Sequence, residues 1–324
     1  MVLDPPGVLD RINANLPDDI RVFAIRRTTG GFDSKNSVDS RIYEYLLPGY
    51  ILAPEEPKPQ PAEEGEAAAA ELQIPDYQVT PELIDKLNEY LEVFKGTNNF
   101  FNYTIRMDKN DASAKRYIIG FKCSGPFTVD GVDFVRFEIQ GQSFMLHQIR
   151  RMIGIATIRD HCTALLRHVL DIQSSQLCAH VWYLGMIVFL IKRNLPKEVL
   201  NATFVRKAPV PTAPSEGLLL QQCVYKVYNE GKGRSYEPIT WEGIKDQVEA
   251  FRSEQIYTHI AAIEKETKVF AEWTAKQSQY LIDYEKLLDD WRNDRPEVPF
   301  EYKGRPPREA AAEAEDTTNA AKED

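Results

Sequence analysis

The sequence predicts a chain that mixes β-strands with α-helices, and three observations carry that reading. Arg41–Pro48 (RIYEYLLP) reads as a strand, with Tyr43, Tyr45 and Leu47 on one face. Arg116–Cys123 and Phe134–Ile139 read as two strands joined through an Asp130-Gly131 turn. Thr80-Pro81-Glu82 opens a helix that runs to about Phe94, while Trp241 to Trp291 reads as almost continuously helical and heavily charged.

Taken in order, residues 1–52 give a helix, a strand and a second strand. Pro5-Pro6 starts the helix, and Val8, Ile12 and Leu16 recur near helical spacing up to Pro17. Ile20, Val22 and Ala24 alternate with Arg21, Phe23 and Ile25, a strand pattern; Arg41–Pro48 is the next strand. Residues 53–77 form an insert rich in Pro, Glu and Ala, with too little apolar surface to fold. Residues 78–230 hold the Thr80 helix, a break at Lys95-Gly96-Thr97 and the two strands about Asp130-Gly131. They continue with a helix from Ser143 to Gly154 and a loop from Pro209 to Pro214 leading into a strand over Leu218–Val227. Residues 231–292 are a helical extension, whose Val248, Phe251, Ile256, Ile260, Ile263 and Phe270 are expected to pack against the sheet. The tail, 293–324, is expected to be disordered.

Composition excludes several classes. The start, MVLDPPGVLD, has neither the basic nor the apolar region of a secretory signal. The longest apolar run, Val181 to Ile191, is about half the ~20 residues a membrane span needs. Cys123, Cys162, Cys178 and Cys223 are widely spaced and read as reduced intracellular thiols. The net charge of −10 is concentrated in two stretches. Six glutamates face one lysine between Glu55 and Glu71, and six acids face one lysine from Glu309 to Asp324. The rest of the chain is neutral overall, so acidity does not exclude an RNA partner.

Three segments stand in order: SRIYEYLLP at 40–48, FKGTNNFFNYT at 94–104 and SFMLHQIRRMIG at 143–154. DASAKRYIIGF at 111–121 and RKAPVPTAPSEGLLL at 206–220 accompany them. Together these resemble the eukaryotic branch of the tRNA pseudouridine synthase A family over roughly residues 8 to 270. The resemblance implies an α+β fold: a mixed, mainly antiparallel sheet with helices packed on one face and a tRNA cleft across the other. It implies isomerisation of uridine within tRNA, without a cofactor or metal and with no obligatory protein partner. A base flipped from its helix needs an aromatic platform. That role falls on Tyr43, a phenol on a rigid strand with a stacking face and a polar tip. The arginine that pairs with the nucleophilic aspartate falls on Arg150, whose planar fork suits a carboxylate or a phosphate. Arg41, Phe144, Arg151, Lys95 and Arg116 complete the implied substrate contacts. Arg106, Lys109 and Lys115 are further cations able to meet phosphate. Asn98 and Phe101 stand where family members commonly carry histidine.

Two departures from the family pattern are expected to matter. The nucleophilic aspartate belongs to an RTDKGVSA-like loop ahead of an INAHLP-like segment, here INANLP at 12–17. Asp4 and Asp10 lack that context. Asp108 and Asp111 copy the loop only superficially, so the nucleophile is absent from the sequence as it stands, and loss of the first part is expected to leave a sheet edge unpaired. Residues 155–185 interrupt an otherwise continuous helix from Gly154 into Met186, as a retained intron of 31 codons would. His161, Cys162, His168, Cys178 and His180 lie in that insert and match no zinc spacing. The leading reading is thus a nuclear tRNA isomerase, catalytically incomplete as this chain stands, with mitochondrial residence the other possibility. A catalytically dead tRNA-binding relative is one alternative. The Trp241–Trp291 helices as a protein-interaction module are another.

Overall fold

The computed structural model describes residues 7–53, 74–153, 190, 195–208, 210, 212–277 and 284–296. The 155–185 insert with its histidines and cysteines, the helix through Gly154 and Met186, Asp4, nearly all of the Pro/Glu-rich segment and the tail beyond residue 296 lie outside these residues.

Helix α1 (Val8–Asn13) follows Gly7. The expected strand over residues 20–25 does not form. Val22 shows why: its N–H donates to Asn13 Oδ1 at 2.8 Å and its carbonyl accepts from Asn13 Nδ2 at 2.9 Å. One side chain satisfies both backbone groups, so no ladder is needed. Strand β1 (Ser40–Pro48) follows. Helix α2 (Pro81–Leu91) is capped by Thr80, whose hydroxyl accepts from Leu83 N at 3.3 Å. Thr80→Ala is expected to cost about 1 kcal/mol, read as a lower urea midpoint at unchanged slope; an unchanged midpoint would show the cap to be idle.

Strands β2 (Gly96–Asn99), β3 (Lys115–Val129) and β4 (Val132–Gly141) come next, β3 and β4 joining at Asp130-Gly131 as expected. Helix α3 (Gln148–Ile153) is shorter than the Ser143–Gly154 expected. His147, at φ 61°, sits in the left-handed region and cannot belong to the helix. Helix α4 (Glu198–Thr203) leads on towards β5 (Leu218–Val224). That strand ends before Val227 because Asp39 Oδ2 accepts Val227 N at 2.8 Å, seating helix α5 (Lys226–Glu230).

The C-terminal segment is broken rather than continuous. Helix α6 (Lys245–Phe251) passes through a π stretch, Arg252–Tyr257, into α7 (Thr258–Thr267). Lys268, at φ 50°, separates α7 from α8 (Val269–Gln277), and α9 is Tyr284–Arg292. The buried Glu264 organises that corner. Its Oε2 accepts Phe270 N at 3.0 Å at the start of α8, and Oε1 accepts from the Tyr50 hydroxyl. Burial raises the Glu264 carboxyl above its ordinary value.

The described strands form one sheet in the order β2-β3-β4-β1-β5, every pair antiparallel rather than mixed. Alternation along β1 sends Tyr45 and Leu47 to one face and Glu44 and Leu46 to the other. Tyr45, Leu47, Phe137 and Phe121 meet the apolar side of α2, α3 and α4 with Phe94 at the centre. Leu46 and Phe134 meet Tyr257, Ile260 and Ala261 on the opposite face. Helices therefore cover both faces, not one: a strand whose two faces both carry apolar residues needs two covers. Of the extension's expected sheet contacts, Ile256 and Ile260 make theirs there. Phe270 also meets the sheet, on its other face, packing edge-on to Tyr45 of β1 with centroids 6.2 Å apart, whereas Phe251 meets Phe23 at 5.6 Å.

Candidate active site

Tyr43 and Tyr45 share one face of β1, opposite Ile139 and Phe137 of β4. Tyr45 is fully buried and its hydroxyl donates to the Pro214 carbonyl at 2.9 Å. Burial holds that phenol well above its ordinary value, and the guanidinium of Arg150 opposes the shift. Tyr43 lies one pleat nearer the open end of the strand and is half-buried. Burial raises its phenol too, with Arg41 opposing, so it is neutral at physiological pH. Beside it in register on β5, the edge strand, Leu220 is 49% exposed, so the platform has an open apolar flank.

Arg150 reaches the same region from α3. Its Nε donates to the Ala213 carbonyl at 2.6 Å, and its own carbonyl accepts from Ala213 N at 3.2 Å. Its Nη1 stands 3.4 Å from His147 Nδ1. The Ala213-Pro214 segment thus receives Arg150 at one residue and Tyr45 at the next. A second bridge is the connection from β4 to α3. Phe144 meets the Tyr43 ring edge-on, with centroids 5.3 Å apart, and three residues later His147 reaches Arg150. The strand tyrosine and the helix arginine are assembled around one short connection.

The comparisons with known proteins agree in direction. No protein-family model matches the chain. The human and mouse proteins named pseudouridylate synthase 1 homolog are 32% and 31% identical to it over 269 residues, 82% of this chain and 53% of each relative. The protein of Yarrowia lipolytica named tRNA pseudouridine synthase 1 is 28% identical over 341 residues, 83% of this chain and 59% of that relative. The chain spans about half the length of the mammalian relatives it matches. It belongs to the tRNA pseudouridine synthase family.

The other residues that the family resemblance singled out are differently placed. Arg41 ends at the same end of β1 as Tyr43, its Nη1 donating to Gln142 O at 3.3 Å. Arg41, Gly141, Ile118 and Gly96 form one row across four strands. Lys95, beside Gly96 of β2, and Arg116, on β3, lie at the same end of the sheet, three and two strand spacings from Arg41, about 14 Å and about 10 Å. Lys95 is paired with Glu92, and Arg116 Nη1 donates to Lys115 O at 3.0 Å. Arg151 turns from Arg150 towards the 101–104 turn, donating to Thr104 O at 3.2 Å and Asn102 O at 3.4 Å. It braces that turn. Asn98 donates to Phe94 O at 3.1 Å, tying the end of the α2 segment to β2, and Phe101 is buried beneath the ammonium of Lys207. Asp108 and Asp111 accept from Asn110 N and Ser113 N, both at 2.8 Å, and so act as turn caps.

Reading the pseudouridine synthase motifs residue by residue missed three participants. His147, Ala213 and Pro214 lie within the quoted motifs, but two act through backbone carbonyls, which carry no side-chain signal. Among the described residues no group of three or more His, Cys, Asp or Glu is arranged to hold a metal. No described helix is long and apolar enough to cross a membrane.

Proposed function

We propose that the locus encodes an enzyme that isomerises uridine to pseudouridine in tRNA, and that the sequence as it stands lacks its attacking carboxylate. Tyr43 serves as the platform for the extruded base, and Arg150 as the guanidinium that pairs with the attacking carboxylate. In this reaction the N1 glycosidic bond breaks, the uracil rotates and its C5 bonds to the ribose, so reactant and product are isomers and no redox partner is consumed. The observation that carries the reading is the β4–α3 connection, which brings Phe144 to Tyr43 and His147 to Arg150. The half-buried phenol and the open side at Leu220 favour a planar, apolar-faced guest such as a nucleobase. The attacking carboxylate is assigned to no described residue, and Lys95, Arg116 and Arg41 are assigned to the tRNA backbone on this same end of the sheet.

Disrupting the locus and mapping pseudouridine in total tRNA tests this. A defined set of positions is expected to lose the modification, to regain it with the wild-type gene and to stay unmodified with Tyr43→Ala. An unchanged map overturns the reading. If the purified chain still retards tRNA under those circumstances, with affinity falling steeply as salt rises, the role is binding alone. We also propose nuclear residence, on the basis of the tRNA substrate; fractionation that finds a tagged protein only outside nuclei overturns it.

A further inference from the structure

We propose that Gly141 is a positioning residue for the stacking platform: its bare Cα is the seat on which the Phe144 ring rests, and that seat holds Phe144 edge-on to Tyr43. The inference rests on the isomerase reading above. Gly141 is the last residue of β4, buried and opposite Arg41 on one side and Ile118 on the other. A Cβ at this position would lie 2.7 Å from Phe144 Cζ and 3.2 Å from both Cε atoms. Gly141 is not among the glycines at positive φ, so glycine is needed here for space and not for backbone freedom.

The clash would fall on the far end of a half-buried side chain, not on backbone. The connection is held independently: Met145 N donates to Gln148 Oε1 at 2.9 Å, and the Thr104 hydroxyl donates to Leu146 O at 3.0 Å. Adding a methyl group at 141 therefore evicts the ring and leaves the loop in place. Phe144 and Tyr43 now meet at 82° with centroids 5.3 Å apart, the edge-to-face arrangement that fixes a ring's plane. Without that edge Tyr43 no longer presents one orientation to a base, and part of the wall beside it is gone. Contacts to tRNA phosphates do not pass through either ring, so overall tRNA affinity stays as it was.

The test places Gly141→Ala, Phe144→Leu, their double variant and Tyr43→Ala at the native locus. It reads the rate at which pseudouridine appears in newly made tRNA. The tRNA dissociation constant and melting temperature of each purified chain are read alongside. Gly141→Ala is expected to slow the reaction by about tenfold, equivalent to a small change in barrier, while the dissociation constant stays within about twofold. Phe144→Leu slows it as well, and adding Gly141→Ala to Phe144→Leu changes nothing more, because the smaller side chain leaves room for the methyl. This last comparison keeps its force even if Gly141→Ala alone lowers the melting temperature. A wild-type rate for Gly141→Ala with a dead Tyr43→Ala overturns the proposal and leaves the isomerase reading intact, as do additive losses in the double variant. Silent Tyr43→Ala and silent Gly141→Ala together mean that the isomerase reading itself has failed.

Discussion

Arg252→Met is expected to lower the stability of the fold by about 3–5 kcal/mol, the cost of stripping one member from a buried ion pair. Glu44, on the face of β1 away from Tyr43, has a side chain 0% exposed, and Arg252 Nη1 lies 3.1 Å from its Oε1 with 5% exposure. Tyr257 donates to Glu44 Oε2 at 2.8 Å; burial pushes that phenol up to about 12, so it remains a donor throughout the neutral range. Arg136, at 3.8 Å, is shared with Glu249 at 3.7 Å and cannot replace Arg252 at contact distance. The expected loss depends on pH, with a sign that can be worked out. Burial raises the Glu44 carboxyl above its ordinary 4.5, and Arg252 is the strongest influence opposing the rise. A carboxyl raised in the folded state loses stability as pH climbs from its unfolded value through its folded one. Removing Arg252 lifts the folded value further, so the deficit is larger at pH 8 than at pH 5. Urea midpoints at both pH values check this; equal deficits would show that Glu44 does not depend on Arg252. Glu44→Leu combined with Arg252→Met is expected to recover most of the loss, since an apolar pair leaves no stranded charge.

That cluster also shows how much of the molecule was legible in the sequence. Tyr43, Tyr45 and Leu47 announced a strand through alternation, and Thr80-Pro81 announced a helix start, because both signals lie in neighbouring residues. The extension's helices were legible, but not that they cover the second face of the sheet. Glu44 looks like an ordinary polar residue on a solvent face, and only the fold reveals that Arg252, from 208 positions further on, neutralises it. The failure at residues 20–25 has the same origin: alternation is necessary for a strand, but Asn13 satisfies the Val22 backbone before any partner strand does. The four-residue β2 was missed because Thr97, Asn98 and Asn99 carry no apolar pattern. The helix from Ser143 was overextended because nothing in HQIRR signals a left-handed His147. In the candidate site, aromatic and cationic side chains could be nominated from motifs. The groups that aim them, two carbonyls and a space the size of a methyl group, leave no trace in residue chemistry.

Arg150→Lys is expected to lower the rate of pseudouridine formation by about 10²–10³-fold, the loss typical of removing one pre-aimed donor from a site where charge develops. The substitution keeps the positive charge, so a purely electrostatic role would tolerate it. Geometry argues otherwise. Nε of Arg150 is already committed to the Ala213 carbonyl at 2.6 Å, and that bond sets the plane in which the terminal nitrogens must point. His147 Nδ1, 3.4 Å from Nη1, flanks the fork on one side, leaving its orientation fixed rather than searched for. A lysine ammonium has one nitrogen; it can reach the Ala213 carbonyl or the attacking carboxylate, but not both with the fork's geometry. The same variant should bind tRNA with nearly unchanged affinity, since the positive charge is kept and the backbone contacts assigned to Lys95, Arg116 and Arg41 are untouched. Rate and affinity therefore separate: pseudouridine appearance at the native locus falls steeply while the purified chain retards tRNA as before. If instead Arg150→Lys modifies tRNA at the wild-type rate, the guanidinium serves only as a charge, and the pairing role assigned to its fork is wrong.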